Sequence, residues 1–407
     1  MEPQESQDVI SEETPVPVQA QTPEPEVEVD DDFDVMVPDV PMPTVGKDDT
    51  VKDELKGAFD FCFVGSGQGG GRIAESFWKM GYRRVLAVNT AEQDLATVRI
   101  PNKYAFASTG AGKDPRVAEN FFTDKHEDVL DRMRRAFGPQ FDRIFVTVGA
   151  AGGTGAGTCI PLVHVAKELM ESLKLENKGV GVIVALPKNS EGKRANANAF
   201  RVMRDLLELV DQGVVSPLII LDNERIDQIH PGLAVDPFWA TANSSVCALF
   251  NLFNTIAVKN SRYTSFDPKD FQTLLDSGTI VFGATPLDKW GDPTDISYAI
   301  RENLKLNILS GGIDLGTGSV AAAVVIGGKD ILANIPMTNL DHGFDQLSRM
   351  LGPQSTVHQG IYRGNKETLV IYTAIGGLGR PTGRLVDLAR IGDIEDFDDP
   401  EKPRKKR

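Results

Sequence analysis

Ten residues constrain this chain more than any others: Gly149-Ala150-Ala151-Gly152-Gly153-Thr154-Gly155-Ala156-Gly157-Thr158. They follow an apolar run, Arg143 to Val148, and precede a helical pattern from Ile160 to Ser172. A strand, a glycine loop and a helix start, in that order, build an anion site. Glycines let backbone N–H groups approach an oxyanion closely, and the helix N-terminus adds partial positive charge. Thr154 and Thr158 offer hydroxyls for a phosphate or a helix cap. A plain turn needs far fewer glycines than the five present here.

Two more glycine loops lie upstream. A short apolar strand, Phe59 to Val64, leads into Gly65-Ser66-Gly67-Gln68-Gly69-Gly70-Gly71-Arg72 and a helix through Ile73, Phe77 and Met80. Gly65, Gly67 and Gly70 satisfy GxGxxG, the dinucleotide fingerprint, so a NAD-dependent oxidoreductase has to be weighed. The next strand, Arg84 to Val88, ends in Asn89-Thr90, where a NAD enzyme would usually place an acidic residue for the ribose. The third loop is Ser108-Thr109-Gly110-Ala111-Gly112-Lys113-Asp114-Pro115. It is not a P-loop, because Lys113 is not followed by Ser or Thr and no strand feeds it directly. Further on, the strand Gly179 to Pro187 precedes Glu191-Gly192-Lys193-Arg194 and a helix from Ala195 to Val210. The strand Pro217 to Leu221 then ends in Asp222-Asn223. Strands alternating with helices predict an open, mostly parallel sheet with ligands at the carboxyl ends of its strands. Three glycine loops at that edge exceed what one dinucleotide needs and suit a triphosphate wrapped by backbone N–H groups.

The 407 residues can hold two domains. A net charge of -15 argues against a broad nucleic-acid-binding face. The three cysteines and five histidines show neither disulfide nor metal spacing, which suits a reducing cytosol. The N-terminus is acidic rather than apolar, unlike a secretory signal, and no apolar run is long enough for a transmembrane helix. Residues 1–57, rich in Glu, Asp, Pro and Val, read as an acidic disordered tail: a spacer, a partner-binding segment or a solubilising extension. Asp236-Pro237 opens a long helix whose Trp239, Ala242, Val246, Leu249, Phe250, Phe253 and Ile256 recur at helical spacing; Asn243 near its start faces either solvent or a base. Asp267 caps the next helix, Pro268 takes its first position and Asp270 closes a capping box. The strands and helices that follow imply a second, smaller α/β domain. From Gly376 the chain turns to Gly, Pro and charge, and it ends acidic and then basic.

In this order the motifs resemble those of the tubulin/FtsZ superfamily of GTPases, over residues 58 to about 376. The opening loop resembles the family signature GGGTGSG, with Ala151 for its first glycine. Gly65 to Arg72 resembles GxGGxGxN, with Gln68 for the third glycine and Arg72 for Asn. Gly110 to Pro115 resembles GAGxNP, Glu191 matches the Glu of EGxxR, and Asn223 matches the Asn that ends the sixth strand. The arginine of EGxxR falls at Ala195, with Arg194 one position early. Asp267 and Asp270 match NxDxxD, and Ser265 stands for its Asn.

The resemblance implies a Rossmann-like GTP-binding domain (58–235), a central helix (236–260), a C-terminal activation domain (261–376) with a synergy loop at 261–270, and a charged tail (377–407). It implies that GTP or GDP is bound by Gly65, Gly67, Gln68, Gly69, Asn89, Gly110, Ala111, Gly112, Gly149, Ala151, Gly152, Gly153, Thr154, Gly155, Glu191 and Asn223. Asn243 would read guanine. Mg²⁺ would be bound through the phosphates. Asp267 and Asp270 would be the catalytic carboxylates, acting on the nucleotide of the next subunit in a cytoplasmic filament, and the tails could meet adaptor proteins. Arg72, Ala151, Ser265 and the displaced Arg194 keep a second reading open, a GTP-binding regulator that does not polymerise.

Overall fold

Short apolar runs that are buried on both faces need helices above and below them. The computed structural model meets that demand with one ten-stranded sheet between two helical layers. It describes residues 54–175, 178–229, 231–232, 234–305 and 312–395, which fall within one compact unit; the side chains of 235–243, 303 and 305 lie outside that description. In chain order come β1 (Phe61–Ser66), α1 (Gly67–Lys79), β2 (Val85–Asn89), α2 (Glu92–Ala96), β3 (Asn102–Ala105), α3 (Pro115–Thr123), α4 (His126–Phe137), β4 (Arg143–Gly149) and α5 (Thr154–Ser172). Then follow β5 (Val180–Leu186), α6 (Lys193–Asp211), β6 (Val215–Asp222), α7 (Asn223–Ile229), α8 (Val235–Ile256), α9 (Pro268–Leu275) and β7 (Thr279–Leu287). The last described elements are α10 (Pro293–Lys305), β8 (Val320–Gly327), α11 (Lys329–Asn334), α12 (Met337–Met350), β9 (Thr356–Arg363), β10 (Leu369–Leu378) and α13 (Thr382–Gly392).

The strand order is β3-β2-β1-β4-β5-β6-β7-β10-β8-β9. Every pairing is parallel except the two that β10 makes, so β10 alone runs against the rest. The sheet does not stop at the central helix. Leu218 and Ile219 of β6 pair with Thr279 and Ile280 of β7, which makes the second α/β part continuous with the first. On one face a phenylalanine cluster joins both halves. Phe63 stacks on Phe77 of α1 at 3.9 Å, Phe145 meets Phe250 of α8 at 5.0 Å, and Phe250 meets Phe271 of α9 at 5.8 Å.

Two stretches differ from the sequence reading. The charged tail expected over 377–407 begins instead as structure: Leu378 ends β10, and α13 buries Leu385, Leu388 and Ala389. These positions, with Gly392, form a helical apolar stripe hidden among charges. The acidic tail expected over 1–57 lies outside the described residues up to 53, but Leu55 N donates to Gly81 O at 3.1 Å. Among the described residues no helix is long and apolar enough to cross a membrane.

Candidate functional site

The three glycine loops converge on a cleft of about 440 Å³ at the carboxyl ends of the parallel strands. The first turns of α1 and α5 open onto it. Neither helix has a side-chain cap or an acidic residue in its first turn, so their N–H groups and partial positive charge are left for an anion. The lining includes Gly67, Gln68 and Gly69 from the first loop, Gly110, Ala111 and Gly112 from the third, and Gly149, Ala151, Gly152, Gly153, Thr154 and Gly155 from the signature. Glu191 and Asn223 complete the far side.

The glycines serve two different needs. A Cβ on Gly70 would sit 2.0 Å from Thr147 O, and one on Gly155 would sit 2.5 Å from Gly149 O. These positions let α1 and α5 approach β4, and they would be needed with no ligand at all. Gly110 and Gly152 have nothing within 4 Å of the position a Cβ would take. Open space at a cleft wall is what a ligand's backbone cradle requires.

Several expected residues lie elsewhere. Gly65 packs against the Gly70 carbonyl and does not line the cleft. Asn89 is buried behind it: its Oδ1 accepts from Thr90 N at 2.8 Å, so it shapes the turn after β2. Thr158 is fully buried and shares a 2.6 Å hydrogen bond with Ser66 Oγ, which removes it as a phosphate ligand. Arg194 turns away toward Asp114, 3.7 Å distant. Asn243 falls in α8, and its side chain lies outside the described residues.

The cleft also contains residues that motif reading did not assign to it. Arg72 and Lys113 put two cations on its wall, and Asp94 adds a carboxylate five positions after Asn89. Lys113 holds a left-handed backbone, φ 60°. Asn198 is buried on α6, and its Nδ2 donates toward Lys113 O at 3.3 Å and Ala151 O at 3.3 Å, tying two glycine loops together. Arg384 of α13 is buried beside Asp222, at 3.1 Å, and its Nη1 donates to Asn189 Oδ1 at 2.6 Å. That pair pins the rim next to Asn223. Burial pushes the Asp222 carboxyl up to about 6, and the Arg384 guanidinium pulls against that rise. An asparagine among alanines in a helical pattern, two positions after Asn196, was the visible signal for Asn198; Arg384 had none beyond its charge.

The loop at 261–270 is a second centre. The capping box expected from its sequence is present: Asp270 N donates to Asp267 Oδ1 at 2.9 Å, and Asp267 N donates to Asp270 Oδ2 at 3.1 Å. Neither aspartate lines the cleft. The loop rests on the edge strand β9 instead. Ile361 N donates to Thr264 O at 2.8 Å, and the Tyr362 hydroxyl accepts from Phe266 N at 2.8 Å and donates to Phe266 O at 3.1 Å. β9 stands six strand places from β4, roughly 29 Å along an untwisted sheet. At the other end of α9, buried Arg143 at the start of β4 donates to Leu275 O at 2.8 Å and pairs with Asp276.

Comparison with known proteins agrees with this geometry. The family described as Tubulin/FtsZ family, GTPase domain, matches residues 61–231. The cell division protein FtsZ 1 of Pyrococcus furiosus is 23% identical over 336 residues, covering 80% of this chain and 82% of its own length. The tubulin-like protein TubZ of Bacillus cereus is 22% identical over 239 residues, covering 53% of this chain and 52% of its own. Among solved structures, the GTPγS-form protofilament of Bacillus thuringiensis serovar israelensis TubZ matches the fold with a TM-score of 0.71 at 19% identity, covering 84% of this chain and 92% of that one. A sheet edge built from three glycine loops, a matching family model and relatives aligned over most of the chain lead to one conclusion: residues 61–231 form a GTPase domain like that of the tubulin/FtsZ family, within a chain whose fold is tubulin/FtsZ-like.

Proposed function

We propose that the chain binds GTP in the glycine cleft, associates with copies of itself into filaments, and hydrolyses GTP where the 261–270 loop of one copy meets the cleft of the next. One observation carries this reading: the cleft and the two aspartates lie on distant parts of the same sheet, so each copy holds a nucleotide cradle and a carboxylate loop that do not meet within it.

The cleft residues fit a guanine nucleotide. Asn223 Oδ1 is buried and has no hydrogen-bond partner among the described residues, although Asn223 lines the cleft. A buried acceptor left open is costly unless a ligand donor meets it. Gly110 and Gly152 leave room for phosphate oxygens, the starts of α1 and α5 supply N–H groups, and Arg72 and Lys113 supply charge. Glu191 and Asp94 are acceptors for ribose hydroxyls. By its match to the family motif, Asn243 is the guanine reader. Mg²⁺, carried by the phosphate oxygens, supplies charge neutralisation when bound. Asp267 and Asp270 orient the attacking water and accept its proton at a neighbour's nucleotide. The protofilament and two-stranded filament of the similar TubZ support self-association.

GTP turnover measured against protein concentration tests the proposal. The rate should rise faster than linearly, with filaments visible by negative-stain microscopy over the same range. A rate strictly proportional to concentration, with no filaments, would favour the non-polymerising regulator. NAD rather than a guanine nucleotide co-purifying with the protein would return the oxidoreductase reading.

A further inference from the structure

The capping box leaves something unexplained. A box is complete when Asp267 takes Asp270 N and Asp270 Oδ2 takes Asp267 N. Asp270 Oδ1 could then face water. Instead His358 of β9 places its Nδ1 2.7 Å from Asp270 Oδ1, with the two side chains 19% and 21% exposed. Between a ring nitrogen and a carboxylate only the nitrogen brings a proton, so Nδ1–H donates. His358 Nε2 is buried without a partner among the described residues. A proton there would be an unpaired buried donor, whereas a proton on Nδ1 has the Asp270 carboxylate to receive it.

β9 is built to make this contact. His358, Gly360 and Tyr362 alternate onto one face of the strand. Tyr362 holds both backbone groups of Phe266. A Cβ on Gly360 would stand 3.0 Å from Phe266 Cβ, so its absence lets the loop settle on the strand. Burial pushes the Tyr362 hydroxyl up to about 12, which keeps it a neutral donor. The loop is therefore fixed along its length, and the last tie is to a carboxylate oxygen.

We propose that His358 is a positioning residue for GTP hydrolysis: its Nδ1–H fixes the Asp270 carboxylate in the orientation that meets the nucleotide of a second copy of this chain. This rests on the reading that Asp270 acts across a subunit contact. A carboxylate held on both oxygens keeps its remaining lone pairs in fixed directions, and small misplacements of a catalytic group are expensive in rate.

The test uses the full chain and phosphate release from GTP, with GTP affinity and pelleting with a slowly hydrolysed GTP analogue measured beside it. His358→Ala should lower kcat by about 10- to 100-fold while GTP affinity and pelleting stay unchanged. His358→Asn should recover most of the loss, because its amide N–H stands close to where Nδ1 stands. His358→Gln should not recover it, because its amide reaches the place of Nε2. Wild-type turnover in His358→Ala beside an inactive Asp270→Ala would sink this proposal alone. Wild-type turnover in Asp270→Ala would sink the subunit-contact reading along with it. Should His358→Ala fail to fold, the Asn and Gln variants decide: equal rates, or a faster Gln variant, would overturn the role given to Nδ1–H.

Discussion

The nucleotide cleft and the acidic loop on β9 are made by opposite means. The cleft is backbone: helix starts, glycines and left-handed turns, with side chains mostly at the rim. The loop is held by side chains: a reciprocal pair of aspartates, a tyrosine that grips one residue twice, and a histidine. A backbone cradle suits a ligand whose charge is spread over many oxygens, because many N–H groups can share it. A carboxylate that must face one water needs discrete ties. The two regions should accordingly fail in different ways when altered.

The largest separation is expected from Asp270→Ala. In the proposed mechanism it removes a positioned acid–base group and should cut GTP turnover by roughly 10²- to 10⁴-fold while GTP binding persists. Filaments assembled with GTP should then outlast those of the wild type in a light-scattering decay. Loss of binding in this variant would erase the distinction between the two regions.

The two kinds of glycine in the loops that form the cleft, one packing against β4 and one facing open space, can be parted next. Gly70→Ala meets the Thr147 carbonyl and should cost roughly 1–3 kcal/mol in denaturant unfolding, as overpacking does. Gly152→Ala meets nothing, so stability should stay within about 0.5 kcal/mol while GTP affinity falls roughly tenfold or more. An unchanged affinity would take the signature loop out of the cradle.

The rim is the cleft's side-chain-built part, and pH should reveal it. The folded value of Asp222 is raised above the unfolded one, chiefly by burial, so the folded chain keeps that proton longer. Its contribution is fully present below the unfolded value of about 4 and is lost as pH rises through about 6. Relative to Asp222→Asn, wild-type stability should fall by about 1–3 kcal/mol between those limits and then level off. A difference that is flat with pH would mean that Arg384 keeps Asp222 ionised throughout.

The smallest effect expected is at Asn223. Asn223→Leu removes an acceptor that lacks a partner in the free chain, so stability should hold or rise by up to about 1 kcal/mol, while GTP affinity drops about tenfold. Titration calorimetry beside a thermal melt reads both. Equal affinity would leave the open oxygen without a ligand.

The backbone-built region was the more legible in sequence. Glycine at Gly67, Gly70 or Gly112 announces itself, because few other residues serve a close approach or a left-handed turn. The capping box at Asp267 and Asp270 was legible too, since its partners are three positions apart. What could not be read were ties between residues far apart in the chain: Asn198 to Ala151, Arg384 to Asp222, His358 to Asp270. A histidine in an apolar strand carries no local mark of the carboxylate it will meet after folding. The α13 stripe escaped for another reason, because charges interleave its apolar positions. Asn89 shows the reverse error: a polar residue at the right strand end served the turn while Asp94 reached the cleft.

One buried arginine has a mechanical meaning. β4 carries the signature loop at its carboxyl end, and at its amino end Arg143 grips the last turn of the helix that the acidic loop begins. A strand paired on both sides neither stretches nor compresses easily, so in the proposed mechanism β4 would act as a strut between the nucleotide cradle and the carboxylate loop. A change felt at Gly149 when a terminal phosphate leaves would reach Leu275 as a push on the same rod. Within one copy the cradle and the arm would then move as parts of a single lever, and along a filament the state of one nucleotide would be felt at the next contact.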